Sequence, residues 1–123
     1  MKTTATLTSD DKAYQRLSQI RLRHCRSRHR ATQRELEEIV AFARTSERNA
    51  AAAVDTADRL QVEIHFYIAQ IRYHERIIAS RSAHEMATHA AEYQNMMDHI
   101  EGLAQAGLGV GQMVAHPTVR AVH

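Results

Sequence analysis

The chain has no glycine before Gly102, and its one proline is Pro117. Glycine and proline are the strongest local breakers of regular structure, so their absence from the first hundred residues constrains the fold more than any motif does. Long uninterrupted helices satisfy that constraint. Thr8 or Ser9 is placed to cap the first, with Asp10 and Asp11 in the turn where the helix dipole favours negative charge. Residues 1–8, Thr-rich and aperiodic, are read as a flexible tail.

Within that run, Leu60, Ile64, Tyr67, Ile71, His74 and Ile78 alternate steps of four and three residues, the period of a coiled-coil seam. Extended upstream, the seam passes through Leu22, Cys25, His29, Thr32, Leu36, Ile39, Ala43, Ser46, Ala50, Ala53 and Ala57. Thirteen of the seventeen sites are apolar. An unbroken helix over 9–79 would be about 105 Å long at 1.5 Å per residue, and the stretch from Arg44 to Ala53 has the weakest seam and a cluster of Thr, Ser and Asn suited to turns. The expected fold is therefore all-α: a long antiparallel helical hairpin folded about position 50, with helices over about 9–46 and 55–80. The second is capped by Asp55 or Thr56. A continuous rod fits the same periodicity. Folding at 50 sets Leu36 opposite Ile64, Ile39 opposite Leu60 and Leu22 opposite Ile78.

Ser82 and Glu85 have the spacing of a capping box and predict a third helix over 83–105. Its apolar stripe reads Met86, Ala90, Tyr93, Met97, Ile100 and Ala104, widened by Met96 and Leu103. Gly102, Gly107, Gly109 and Gly111 end it, leaving 107–123 as a flexible Gly-rich tail behind a single domain, 9–106. The core of such a domain is thin. The chain has twenty alanines, no tryptophan and only six Phe or Tyr, so few side chains bury large areas, and shared burial with a partner or a second copy is expected.

Charge is segregated along the chain. Residues 1–34 carry nine Lys/Arg against two acids, and residues 35–123 carry seven against twelve, giving +7 and −5. Arg16, Arg21, Arg23, Arg26, Arg28, Arg30 and Arg34 form an acid-free run, none on a seam position. A solvated face shielding the seam is the plain reading; docking onto an acidic protein surface or onto the acidic second arm is the functional one. Nucleic acid is a further alternative, although the aromatic interleaving and helix-turn-helix spacing of nucleic-acid readers are missing.

Two histidine clusters suggest metal. In the hairpin register Cys25 faces His74 with His29 one turn away, a set able to hold zinc; the competing reading makes these polar seam residues that fix register. On the third helix Glu85, His89 and Glu92, with His84, Asp98 and His99 nearby, resemble part of a di-iron ligand set, but in the order His-x-x-Glu and with no matching element on another helix. A zinc- or iron-binding bundle is thus an alternative function. Gly107 to Gly111 is followed by neither Lys-Ser/Thr nor a helix start, so no phosphate loop is present, and the chain is read as non-enzymatic and without a cofactor. No apolar run reaches membrane-span length. A lone cysteine and an N-terminus, MKTTATLTSDDK, without an apolar segment lead us to expect a soluble, cytoplasmic protein.

An N-terminal helix opening with Leu17-x-x-Ile20-Arg21, Arg-rich through Arg34-Glu35-Leu36-Glu37-Glu38-Ile39 and followed by a returning arm, resembles over residues 12–79 the FliJ/YscO-like stalk proteins of flagellar and type III export systems. The resemblance implies an antiparallel coiled coil connecting an export ATPase to an export gate.

Overall fold

The computed structural model describes residues 6–105, which form three helices: α1 (Ser9–Ala43), α2 (Glu47–Ala79) and α3 (Ala83–Gln105). Helices α1 and α2 make the antiparallel hairpin, and α3 folds back along the C-terminal half of α2. The tail expected at 107–123 lies outside the described residues.

Local chemistry accounts for each boundary. Thr8 accepts a hydrogen bond from the Asp11 amide at 3.0 Å while the Asp11 carboxylate accepts one from the Thr8 amide at 2.9 Å, a reciprocal capping box. The hairpin closes over Arg44, Thr45 and Ser46, with Ser46 capping α2 through the Asn49 amide at 3.0 Å. The Thr45 hydroxyl donates to the Phe42 carbonyl and accepts from the Asn49 side chain, each at 2.7 Å. The Thr, Ser and Asn cluster thus makes the turn, but α2 begins at Glu47 and not near 55, and α1 ends at Ala43 and not 46. Ala50 to Ala53, weak as seam residues, are the best helix formers, so they extend α2 instead of breaking it. At the α2–α3 junction the Ser82 hydroxyl accepts from the Glu85 amide as predicted, whereas the Glu85 carboxylate accepts from the Arg81 amide, one residue earlier than a reciprocal box requires.

The seam faces inward as its period predicts. Of its seventeen positions Leu22, Thr32, Ala53, Leu60 and His74 are buried, eleven are half-buried and only Ser46 is exposed. The pairing differs from a fold about position 50. Ser18, one seam step before Leu22, meets His74; Cys25 meets Gln70, one turn from His74; and Ile39 lines a cleft with Ala53, Val54 and Ala57, not with Leu60. The earlier turn slips the two arms by about one heptad, which leaves the same residues in the seam. Gln15 then reaches the end of α2, donating to the carbonyls of Ile77 and Ser80 at 3.0 and 2.9 Å, and so satisfies acceptors that a helix terminus leaves free.

On α3, Ile100 is buried against Ala69, with Val62, Phe66, Tyr93, Met97 and Leu103 packed around them. Ala90, Met96 and Ala104, assigned to the apolar stripe from spacing, are exposed; His89, half-buried, occupies the inward position next to Ala90. Gly102 does not end the helix, which continues to Gln105.

Two outcomes test this arrangement. Oxidation should close an intramolecular disulfide between Cys25 and a cysteine introduced as Gln70→Cys, seen as a mobility shift under non-reducing conditions, and should not close one with His74→Cys; the reverse result would restore the fold about position 50. A Cβ on Gly102 meets nothing within 4 Å, so Gly102→Ala should stabilise the domain by about 0.5–1 kcal/mol in denaturant unfolding.

Candidate functional site

Two surfaces carry the chemistry-bearing residues, a cleft at the junction of the three helices and the outer face of α1. The cleft, about 360 Å³, is lined by Tyr14, Arg21, His24 and Cys25 of α1, Gln70, Tyr73 and His74 of α2, and Tyr93 of α3. Five of its polar side chains, Tyr14, Cys25, Gln70, Tyr73 and His74, make hydrogen bonds between helices. The Tyr14 and Tyr73 hydroxyls share a hydrogen bond of 2.7 Å, His74 Nδ1 and Ser18 Oγ share one of 3.2 Å, and the Cys25 thiol donates to Gln70 Oε1 at 3.2 Å. Tyr73 stacks on Tyr93 with centroids 4.4 Å apart, tying α3 to this layer, and the Arg21 guanidinium lies 5.9 Å over the Tyr14 ring.

The ionisation states follow from burial. Burial pushes the Cys25 thiol up, so it remains a protonated donor and not a reactive thiolate. Burial first, and then the Tyr14 hydroxyl, lift the Tyr73 phenol above the ordinary tyrosine range, and burial lifts Tyr93. Burial, followed by the nearby Arg21 charge, lowers the His74 pKa, and burial lowers that of His65. Held in these forms, the Cys25 thiol and the Tyr73 and Tyr93 phenols keep their protons for hydrogen bonding.

The metal sets proposed from spacing do not assemble. With the hairpin slipped, His74 is turned to Ser18 and Cys25 to Gln70, and His29 stays half-buried one turn from Cys25. On α3, Glu85 caps the helix, while Glu92 accepts from Arg76 at 3.4 Å and pairs with His89 at 3.2 Å. His84, Asp98 and His99 are exposed, Asp98 accepting from Gln94. Among the described residues no three His, Cys, Asp or Glu side chains converge.

All seven arginines of the run are exposed. They divide into two groups. Arg26 pairs with Glu75 at 2.8 Å, Arg28 Nε donates to the Tyr67 hydroxyl at 3.3 Å, and Arg21 stacks on Tyr14, so these three lean toward α2 and the cleft. Arg16, Arg23, Arg30 and Arg34 point the other way and make no ion pair among the described residues. With Ile20 and Ser27 they follow steps of four and three on the side of α1 opposite the seam. Leu17 and Ile20, apolar and 48% and 44% exposed, lie beside them.

The sequence pattern gave no role to Gln15, Ser18, Tyr14, Gln70 and Tyr73, and placed Tyr93 only in the apolar stripe of α3. Carrying the seam two steps above Leu22 finds Ser18 and Gln15; Tyr14 and Tyr73 flank the seam and have no such signal. The chain matches no protein-family model, no curated protein and no solved structure. Among the described residues no helix is long and apolar enough to cross a membrane.

The lowered His74 pKa fixes the sign of a pH effect. The unfolded ring, with its ordinary value of about 6.5, takes up a proton before the folded one. Stability is therefore complete above that pH and lost as pH falls through the folded pKa. Thermal melting should shift to lower temperature between pH 7 and 5, and His74→Gln, which keeps a hydrogen-bonding partner for Ser18 without titrating, should flatten the slope. His65 leaves a remainder. An unchanged slope in the variant would exclude His74 as its source.

Proposed function

We propose that this protein is a non-enzymatic helical adaptor that works through protein–protein contacts, docking the arginine face of α1 on an acidic protein surface. The observation that carries this is the row Arg16, Arg23, Arg30 and Arg34, exposed, facing away from α2 and without a counter-charge among the described residues. Four like charges held along one helix face repel each other and contribute nothing to the fold, but they steer and orient an oppositely charged partner. Two further features support the reading. The apolar side chains larger than alanine that are buried among the described residues are Leu22, Leu60, Ile77 and Ile100, each worth roughly 1.5–3 kcal/mol, so burial shared with a partner is useful. The hydrogen bonds of Tyr14, Cys25, Gln70, Tyr73 and His74 in the cleft join α1 to α2 and fix the helices in place.

The resemblance to export-system stalk proteins suggests the setting, a cytoplasmic coiled coil that links components of a type III secretion or flagellar export apparatus. The helical hairpin suits such a part.

Changing Arg16, Arg23, Arg30 and Arg34 together to Gln keeps helix propensity and removes only charge. Circular dichroism should stay the same, while capture of acidic proteins from lysate is lost. Captured partners that vanish on nuclease treatment, with binding that falls steeply as salt rises, would replace the protein partner by nucleic acid. An unchanged partner set from the four-Gln variant would remove the row from the function.

A further inference from the structure

We propose that the outer face of α1 receives one acidic helix of a partner protein, lying alongside it, with carboxylates on a heptad register, steps of seven residues and then of four, meeting Arg16, Arg23, Arg30 and Arg34. This rests on the protein-docking reading and adds the form of the partner. Three observations lead to it.

The first is spacing. Arg16, Ile20, Arg23, Ser27, Arg30 and Arg34 alternate steps of four and three and are all exposed, so they form a second seam on the side of α1 away from the first. Arg16, Arg23 and Arg30, seven residues apart, stand about 10 Å from one another along the axis at 1.5 Å per residue, Arg34 follows one turn on, and the row runs for about 27 Å. A second helix packed side by side presents its own residues at this period, so carboxylates on a heptad register stay opposite the guanidiniums along the whole row. The row ends where its next position, Glu37, reverses sign.

The second is what accompanies the charge. Leu17 and Ile20 leave nearly half their surface in solvent next to Arg16 and Arg23. A helical partner covers them with its own apolar side chains. A phosphate backbone has nothing to offer them, and its charges, one per about 1.7 Å of duplex axis, have no ten-ångström period to match.

The third is that this chain does not supply the partner. Helix α3 packs on α2, and α1 is left with an outer face that no described helix covers. Glu85 and Glu92 are the only two acids in the sequence seven residues apart. Glu85 caps α3 and Glu92 holds Arg76 and His89, so a second copy has no free acidic row to bring.

Two synthetic four-heptad peptides of identical composition test this. One carries Glu and Leu on a heptad register; the other has the same residues distributed around the helix. The registered peptide should bind the full chain about tenfold more tightly than the scrambled one, a difference of about 1.4 kcal/mol. That preference should disappear in Arg23→Gln/Arg30→Gln, and should persist in Arg26→Gln, whose charge lies off the row against Glu75. Equal binding of the two peptides, lost from both in the double variant, would overturn the helical register while leaving an acidic protein partner in place. Tighter binding to single-stranded RNA or to phosphatidylserine vesicles than to either peptide, or no binding of the registered peptide, would overturn the proposal, the first of these taking the protein-docking reading with it.

Discussion

The buried hydrogen bond between Ser18 and His74 sets the geometry on which everything else depends. A heptad seam does not change when one arm slides by seven residues, so Leu22, Leu60, Ile64 and Ile71 pack comparably in either register. Polar groups are less tolerant. In the register centred on residue 50, Ser18 would come opposite Arg81, beyond the end of α2, and the Gln15 amide would lose the carbonyls of Ile77 and Ser80. A buried polar group left without a partner costs about 1–3 kcal/mol. Since Ser18, Gln15, Cys25 and Gln70 all find partners in one register, the polar layer specifies a pairing to which the apolar seam is indifferent. Burial of the His74 ring in that layer disfavours its charged form, so the residue that helps select the register also ties stability to pH.

This layer also determines where the hairpin is thick and where it is thin. Tyr73 bridges Tyr14 of α1 and Tyr93 of α3, so the third helix is fastened where the polar contacts are, and from there its apolar face follows α2 through Ala69 as far as Val62. Past Leu60 the hairpin continues as two helices. At the tip an apolar cleft of about 260 Å³ lies between Ile39, Val40, Ala43, Ala50, Ala53 and Ala57, with Phe42 and Val54 about half exposed near it. The alanines let the arms come close, yet they bury little area, so cohesion falls toward the turn and the short Thr45, Ser46 and Asn49 network must hold it.

Periodicity made the helical class, the seam and the third helix legible, because a 3.5-residue repeat and a capping box are local signals. All seam positions but Ser46 are buried or half-buried for the reason the pattern implies, with the polar Thr32 and His74 among the buried. The turn was harder. Thr45, Ser46 and Asn49 pointed to it, but the alanines after them were read as part of the break when their propensity makes them the start of α2. That misplacement carried through to the register and from there to the zinc set, since Cys25 meets His74 only if the arms slip by a heptad. Exposed Ala90, Met96 and Ala104 show a further limit: α3 packs along one neighbour only, so a broad stripe counted on a 3.6-residue period includes residues that have nothing to touch. The split of the seven arginines into an inward-leaning trio and an outward row was not legible at all, because it depends on which side α2 occupies.

Charge segregation along the chain allows the basic arm to be neutralised by the acidic remainder, and the ion pairs among the described residues show how far this goes. The acids of α2 facing α1 are few: Glu75 takes Arg26, and Glu63 is held by Arg59 one turn before it on the same helix. Both pairs are solvent-exposed, and such pairs contribute at most about 1 kcal/mol, so the hairpin neither needs the arginines for stability nor neutralises more than a fraction of their charge. The seam itself enforces the remainder. Any residue two positions from a seam site lies on the opposite side of the helix, so packing Ser18, Leu22, Cys25 and Thr32 against α2 drives Arg16, Arg23, Arg30 and Arg34 outward as a single row. The same repeat that folds the hairpin thereby aligns its charge, setting one heptad register on the inner face of α1 against α2 and a second on its outer face.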